Sequence, residues 1–285
     1  VSNFCPTCLN KEYIFVKNVN EFDYFQCINC EMIYIQNDVM EQVDEGKVLV
    51  AYKEEYWQEE LRSAHERSYG IALARMAEAF YYSRIPVHKF LDIGTGPGYF
   101  LDAVAKYLPN SKEKFYGIEK FPPKEQYYSQ SKNYIIGDLC NLEIKFDAGM
   151  CIEVAEHLTP KMLKGLIKDL ANISNKGALY IFNTGMPEYV LNEDLNYLDP
   201  LIRGHIASYS IKSIKILAEE LGFSVFPLKG KTWAFVLEYL SQSSSEENIQ
   251  DRIWSALNHN MNILSDKDMG TVLKVLGLDT SRAYG

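Results

Sequence analysis

The stretch KFLDIGTGPGYFLDAVAKYL, residues 89–108, decides the fold. A short apolar run leads into Gly94, Gly96 and Gly98, three glycines in five positions, and a run with helical apolar spacing follows. A turn this bare between a strand and a helix sits where a parallel sheet opens its ligand crevice, and it lets backbone approach a ligand with no Cβ in the way. The spacing is G-x-G-x-G, not the G-x-G-x-x-G that sets a pyrophosphate on a helix N-terminus, and Asp92 precedes it at the strand end. A fixed carboxylate there repels a diphosphate and suits a cation. S-adenosylmethionine carries two positive centres, an ammonium and a sulfonium.

Downstream, strand-like and helix-like segments alternate, which implies a parallel sheet. KFYGIE, NYIIGD and FDAGMCIE read as strands, TPKMLKGLIKDLANI as a helix, GALYIFNTG as a strand and SIKSIKILAEELG as a glycine-closed helix, with FSVFPL and TWAFVLEYL as two closing strands. Glu119 ends the second of these strands and is placed to accept from two ribose hydroxyls. Asp138, after the third, can accept from an adenine amino group. Upstream, residues 52–83 contain no proline and repeat Leu61, Ala64, Ser68, Ile71, Ala72, Arg75, Met76 and Ala79 at intervals of three and four, a helical stretch that ends before Pro86.

The ordered set LDIGTGPGYFL, GIEK, GDL and FDAGMCIEVAEHL resembles the class I S-adenosylmethionine-dependent methyltransferases over roughly residues 86–240. The resemblance implies an α/β, Rossmann-like seven-stranded sheet whose last strand, TWAFVLEYL, inserts antiparallel. It implies that Asp92, Gly94, Gly96 and Gly98 surround the methionine part, that Glu119 holds the ribose and that Asp138 holds the adenine. A methyltransferase fold kept only as a binding scaffold is the alternative.

Four of the six cysteines form two C-x-x-C pairs, Cys5 with Cys8 and Cys27 with Cys30, eighteen residues apart. Two such turns on adjacent hairpins complete a tetrahedral four-thiolate shell, a closed structural zinc site. The intervening segments are aromatic and β-branched, as ribbon strands are. Disulfides are the alternative, disfavoured in a chain whose N-terminus has neither a basic leader nor an apolar signal segment; the expectation is a cytoplasmic protein. Ribbon, aromatic segment and core together look similar to bacterial sugar and secondary-metabolite tailoring methyltransferases, in which the aromatic segment lies over the cofactor. Tyr52, Tyr56 and Trp57 are then candidates to close the pocket, against the reading that they only pack the helix on the sheet. The sugar C-methyltransferases of that group carry a second large domain after the core; about 45 residues remain here, which favours O-methylation.

EVAEHL places Glu153, Glu156 and His157 at i, i+3 and i+4, on one side of a helical turn. His205, in RGHIASYS, comes from a loop facing the same crevice mouth. These four are the catalytic candidates: as ligands of Mg²⁺, Mn²⁺ or another divalent ion that activates vicinal hydroxyls, or with a histidine as general base and the glutamates as helix-cap and brace. A similar E-x-x-E-H pattern binds metal in small-RNA 2′-O-methyltransferases. Cys140 and Cys151 read as buried packing cysteines. In the segment of residues 186–205, Tyr189 and Tyr197 could stack on an acceptor or pack internally, with Arg203 available to an anionic group.

The chain divides into a ribbon (1–45), a helical cap or linker (46–85), the core (86–240) and a C-terminal helical extension (241–285). In the extension, Ile249, Ile253, Trp254, Leu257 and Met261 form a helical stripe that could pack on the core, cover the active site or form a homodimer contact. A net charge of −9 disfavours nucleic acid as the main partner, and the absence of a long apolar run disfavours a membrane, which leaves a small-molecule or sugar acceptor. A nucleic-acid methyltransferase with a zinc module and a cofactor-sensing binding protein are the other readings.

Overall fold

In the computed structural model, which describes residues 3–49 and 54–278 with the side chains of 54–59 excepted, two short hairpins come first. Strands β1 (Tyr13–Val19), β2 (Phe22–Cys27) and β3 (Ile33–Ile35) are followed by helix α1 (Asn37–Asp44). The segment read as one helical stretch is two helices, α2 (Glu54–Ser68) and α3 (Ile71–Tyr82), interrupted at Tyr69 and Gly70. Glycine is a poor helix former. Here a Cβ on Gly70 would also lie 3.0 Å from the Glu66 carbonyl. The break turns α3 so that all but its first residue are buried.

The alternation then runs β4 (Phe90–Ile93), α4 (Tyr99–Tyr107), β5 (Phe115–Glu119), β6 (Tyr134–Ile136), β7 (Phe146–Ile152), α5 (Pro160–Asn172), β8 (Ser174–Asn183), α6 (Pro187–Asn192), β9 (Ala207–Ser208), α7 (Ile211–Ala218), β10 (Phe223–Pro227) and β11 (Ala234–Tyr239). Local chemistry sets the ends. Helix α5 starts where Thr159 caps the Met162 amide at 3.2 Å and Pro160 occupies the first turn. Seven strands form one sheet in the order β10-β11-β8-β7-β4-β5-β6, with β11 antiparallel to both neighbours, as expected from the sequence.

Alternate residues of the central strands face opposite cores. Leu91, Tyr180 and Phe182 pack with α5, α7 and the ribbon, whereas Phe90, Leu179 and Ile181 pack with α3 and α4. The C-terminal helices α8 (Asn258–Leu264) and α9 (Lys267–Val275) join the second face against α3, so of the three roles open to the extension the structure adopts packing on the core. Arg252, 1% exposed, fastens it by a bidentate pair with buried Glu238 at 2.7 and 3.1 Å. Trp254 does not belong to the buried stripe: it is 67% exposed, because residues 249–255 form a tight 3-10 turn and a new helix begins at Asn258. Among the described residues no helix is long and apolar enough to cross a membrane.

The ribbon shares its core with the sheet rather than standing apart. Ile33, Tyr34 and Ile35 are fully buried in the same cluster as Leu91 and Phe182, and β9, contributed by the core, extends the ribbon sheet to the order β1-β2-β3-β9.

Candidate functional site

Strands β4, β5, β6, β7 and β8 run parallel, so their C-terminal ends share one edge of the sheet. Strand order reverses at β4, which has β5 on one side and β7 on the other, and a crevice opens outside such a switch point. Asp92, Glu119, Asp138, Glu153 and Asn183 all lie at these strand ends. Asp92 is buried and accepts from Thr95 Oγ1 at 2.6 Å. Burial pushes its carboxyl up to about 7 against the lowering by Thr95.

The glycine turn also serves the protein's own packing. All have positive φ, at 71°, 59° and 82°. A Cβ on Gly94 would lie 2.5 Å from Val154 Cγ2, and one on Gly98 would lie 2.8 Å from the Tyr134 ring and 2.9 Å from Ser129. Only Gly96 of the three faces open space. Gly94 and Gly98 therefore also make room for the protein's own side chains, and Gly96 leaves bare backbone facing open space. Glu119 stiffens the turn: its two oxygens accept from the amides of Gly96 and Phe121, both at 2.8 Å. Tyr134 donates to the Gly96 carbonyl at 2.7 Å. Asp138 is half-buried and pairs with Lys120 at 2.8 Å.

A second constellation adjoins the first through Val154. Glu156, His157 and His205 each bring one donor atom within 4.8 Å of the others. The helical turn expected to carry Glu153 as well is a short 3-10 turn over Ala155–His157, and Glu153 precedes it in a left-handed conformation, φ 54°. Glu153 is thus outside the three-donor set, while its carboxyl feels Glu156 and accepts from Asn183 Nδ2 at 3.2 Å. Burial, then Glu156, push that carboxyl up to about 9.

Glu156 is fully buried; Tyr197 donates to its Oε1 at 2.8 Å, and its Oε2 has no hydrogen-bond partner among the described residues. Both imidazoles are anchored at Nδ1 on carbonyls, His157 on Gly204 at 3.1 Å and His205 on Tyr197 at 2.8 Å. A carbonyl only accepts, so each Nδ1 carries the proton and each Nε2 keeps its lone pair, the tautomer of a metal ligand. Burial lowers His157, and burial together with His157 pushes His205 down to about 2, so both rings are neutral. The donor set therefore fits a divalent ion.

Some supporting residues carried little sequence signal. Arg75, read as part of an apolar stripe, is 2% exposed and donates to Asn183 Oδ1 at 2.9 Å, which turns the Asn183 amide toward Glu153. Glu78 pairs with Arg75 and with Lys231. An arginine three residues before a glutamate, both on the buried side of a helix, was the available hint. Tyr197 is packed and hydrogen-bonded rather than stacked at a crevice mouth: it is 5% exposed, its ring fills the space beside Gly185, and its hydroxyl accepts from the Gly185 amide at 2.8 Å. Arg203 is exposed and pairs with Asp194 at 3.4 Å. Cys151 is buried as expected; Cys140 is exposed. Tyr52 and the side chains of Tyr56 and Trp57 lie outside the described residues.

In the ribbon, Cys5, Cys8, Cys27 and Cys30 bring their sulfurs within 4.8 Å of one another, with the closest pairs, Cys5–Cys30 and Cys8–Cys27, at 3.4 Å. Each C-x-x-C turn closes in the same way. The amides of Leu9 and Glu31, both at positive φ, donate at 2.9 Å to the carbonyls of Cys5 and Cys27. Four converging thiols on two such turns fit tetrahedral zinc.

A seven-stranded sheet with one antiparallel insert and a glycine turn at its switch point defines a methyltransferase-type α/β domain. The family model described as a methyltransferase domain matches residues 61–228, more than half of the chain, and the chain belongs to that family. No curated protein matches the chain in sequence. Among solved structures, the chain is similar to the sugar N-methyltransferase KedS8 from a Streptoalloteichus species, at 12% identity over 61% of this chain and 88% of that one, TM-score 0.47. It is similar to SAM-bound CalS10, an amino pentose methyltransferase from Micromonospora echinaspora, at 14% identity over 66% and 98%, TM-score 0.47. It is also similar to DesVI from Streptomyces venezuelae, at 14% identity over 66% and 99%, TM-score 0.49.

Proposed function

We propose that the chain is an S-adenosylmethionine-dependent O-methyltransferase acting on a hydroxyl of a sugar or sugar-containing small molecule, with Glu156, His157 and His205 holding a divalent ion and Glu153 beside them. The observation that carries this reading is the Glu156–His157–His205 cluster, whose three donor atoms lie within 4.8 Å of one another with both Nδ1 atoms committed to carbonyls. Asp92, the Gly96 backbone, Glu119 and Asp138 are the residues for the cofactor.

Methyl transfer needs an acceptor oxygen that gives up its proton to solvent and attacks the methyl carbon in line as the carbon–sulfur bond breaks, the electron pair leaving on sulfur. A divalent ion held by Glu156, His157 and His205 would supply Lewis acidity that lowers the pKa of a hydroxyl beside it. His205, held down at about 2, is almost never protonated at neutral pH and suits a ligand better than a general base. Two nitrogen donors favour Mn²⁺ or a later transition metal over Mg²⁺. The net charge of −9 supports a small acceptor over a polyanion, and a cluster of unpaired thiols suits a reducing, cytoplasmic setting.

The test is transfer of labelled methyl from S-adenosylmethionine into two pools, small molecules with glycans and total RNA, with Mn²⁺, with Mg²⁺ and with chelator. Label in the first pool that depends on Mn²⁺ supports the proposal. Label confined to RNA, where a terminal ribose offers the same vicinal diol, moves the acceptor to nucleic acid; label in neither pool points to a cofactor-sensing binding protein.

A further inference from the structure

The Glu156–His157–His205 cluster is assembled from two halves. Glu156 and His157 follow β7 directly, whereas His205 arrives on an arm that leads into β9. Strand β9 is two residues long and pairs with ribbon strand β3, Ser208 opposite Ile33 and Ala207 opposite Tyr34. Two residues give too few ladder bonds to hold a strand in place alone. Three further ties come from the ribbon: the Ile35 amide donates to the Ile206 carbonyl at 3.0 Å, the fully buried Tyr24 hydroxyl donates to the His205 carbonyl at 2.7 Å, and Ser210 Oγ donates to the carbonyl of Cys30, one of the four ribbon thiol residues. From the core side, the Ile206 amide donates to the Glu156 carbonyl at 2.8 Å.

We propose that Tyr24 is a positioning residue for His205, and that the zinc ribbon is thereby a working part of the candidate active site, holding the arm that completes its donor set. This rests on the metal reading of Glu156, His157 and His205. Tyr24 fixes the main chain of His205 and the Tyr197 carbonyl fixes its Nδ1, so Nε2 is left directed at Glu156 Oε1, 3.8 Å away. The hydroxyl itself touches no donor atom of the cluster. It acts through the His205 carbonyl.

The experiment compares zinc-loaded full-length protein with Tyr24→Phe, which keeps the buried ring and removes one donor. Zinc content and cofactor affinity stay at the parental level, Mn²⁺ binding weakens at least about tenfold, the usual cost of removing a group behind a ligand, and amides of residues 205–208 exchange faster while those of 115–119 do not change. Parental Mn²⁺ affinity together with parental protection over 205–208 overturns the proposal, because the core alone would then hold the arm. If the unsubstituted protein takes up no Mn²⁺, the metal reading fails; faster exchange over 205–208 in Tyr24→Phe still supports the tether, and unchanged exchange overturns it. If Tyr24→Phe loses zinc, Ser210→Ala, which cuts the tie to Cys30, carries the same measurement.

Discussion

Glu119 has a demand on each oxygen before any ligand arrives, one from the Gly96 amide and one from the Phe121 amide. A carboxylate offers about four lone-pair sites, so about two remain for a ribose diol. Glu119→Ala should weaken cofactor binding by ~1–3 kcal/mol, read by titration calorimetry; unchanged affinity would remove Glu119 from the ribose site. His157→Ala and His205→Ala should each lower turnover by at least about 10–100-fold, the range already seen for losing a group behind a ligand, with cofactor affinity nearly constant. Equal losses in both quantities would mean that these rings shape the cofactor pocket. Glu153 makes the site sensitive to pH. Its carboxyl stands beside the donor set and is held up at about 9 by burial and by Glu156, so it is mostly protonated at neutrality, and losing that proton adds a negative charge next to the ion. Mn²⁺ affinity should therefore rise as pH climbs toward that value, and an affinity flat with pH would exclude Glu153 from the site.

At the scale of elements, the turn after β4 and the turn after β7 are interlocked. Gly94 leaves room for Val154, the residue between Glu153 and the 3-10 turn that carries Glu156 and His157. Gly94→Ala would place a Cβ 2.5 Å from Val154 Cγ2 at a φ of 71°, a clash added to backbone strain. The expected cost is about 1–3 kcal/mol, seen as a lower melting temperature together with weakened Mn²⁺ binding. A melt and a metal affinity both equal to the parent would show that the Val154 loop moves aside freely. Strand–helix alternation was legible from apolar patterning, because strands β4, β7 and β11 are buried on both faces and helices α4, α5 and α7 on one. The break at Gly70 was not: the apolar stripe continues across it, and the interruption is felt only where the Glu66 carbonyl crowds that position.

At the scale of the whole molecule, the ribbon is joined to the core by a shared sheet and a shared apolar cluster. Purified protein should hold about one zinc per chain at the four-thiolate shell by elemental analysis, and zinc removal should lower the melting temperature of the whole chain, since Tyr24, Ile33 and Tyr34 are core residues. A chain with no zinc would overturn the ribbon site. The sequence by itself determined the glycine turn, the acidic strand ends and the paired C-x-x-C turns, because each is a local pattern whose chemistry requires particular residue types at short spacing; the antiparallel last strand came from the family resemblance. It also pointed to Glu156, His157 and His205. Only the tertiary structure decided that two of the three glycines yield to Val154, Tyr134 and Ser129, that Glu153 stands beside the donor set, that Arg75 and Asn183 orient it, and that a ribbon tyrosine reaches the His205 arm. Those contacts join residues up to 181 positions apart in the chain, and they depend on how packed layers meet, which no short window of sequence encodes.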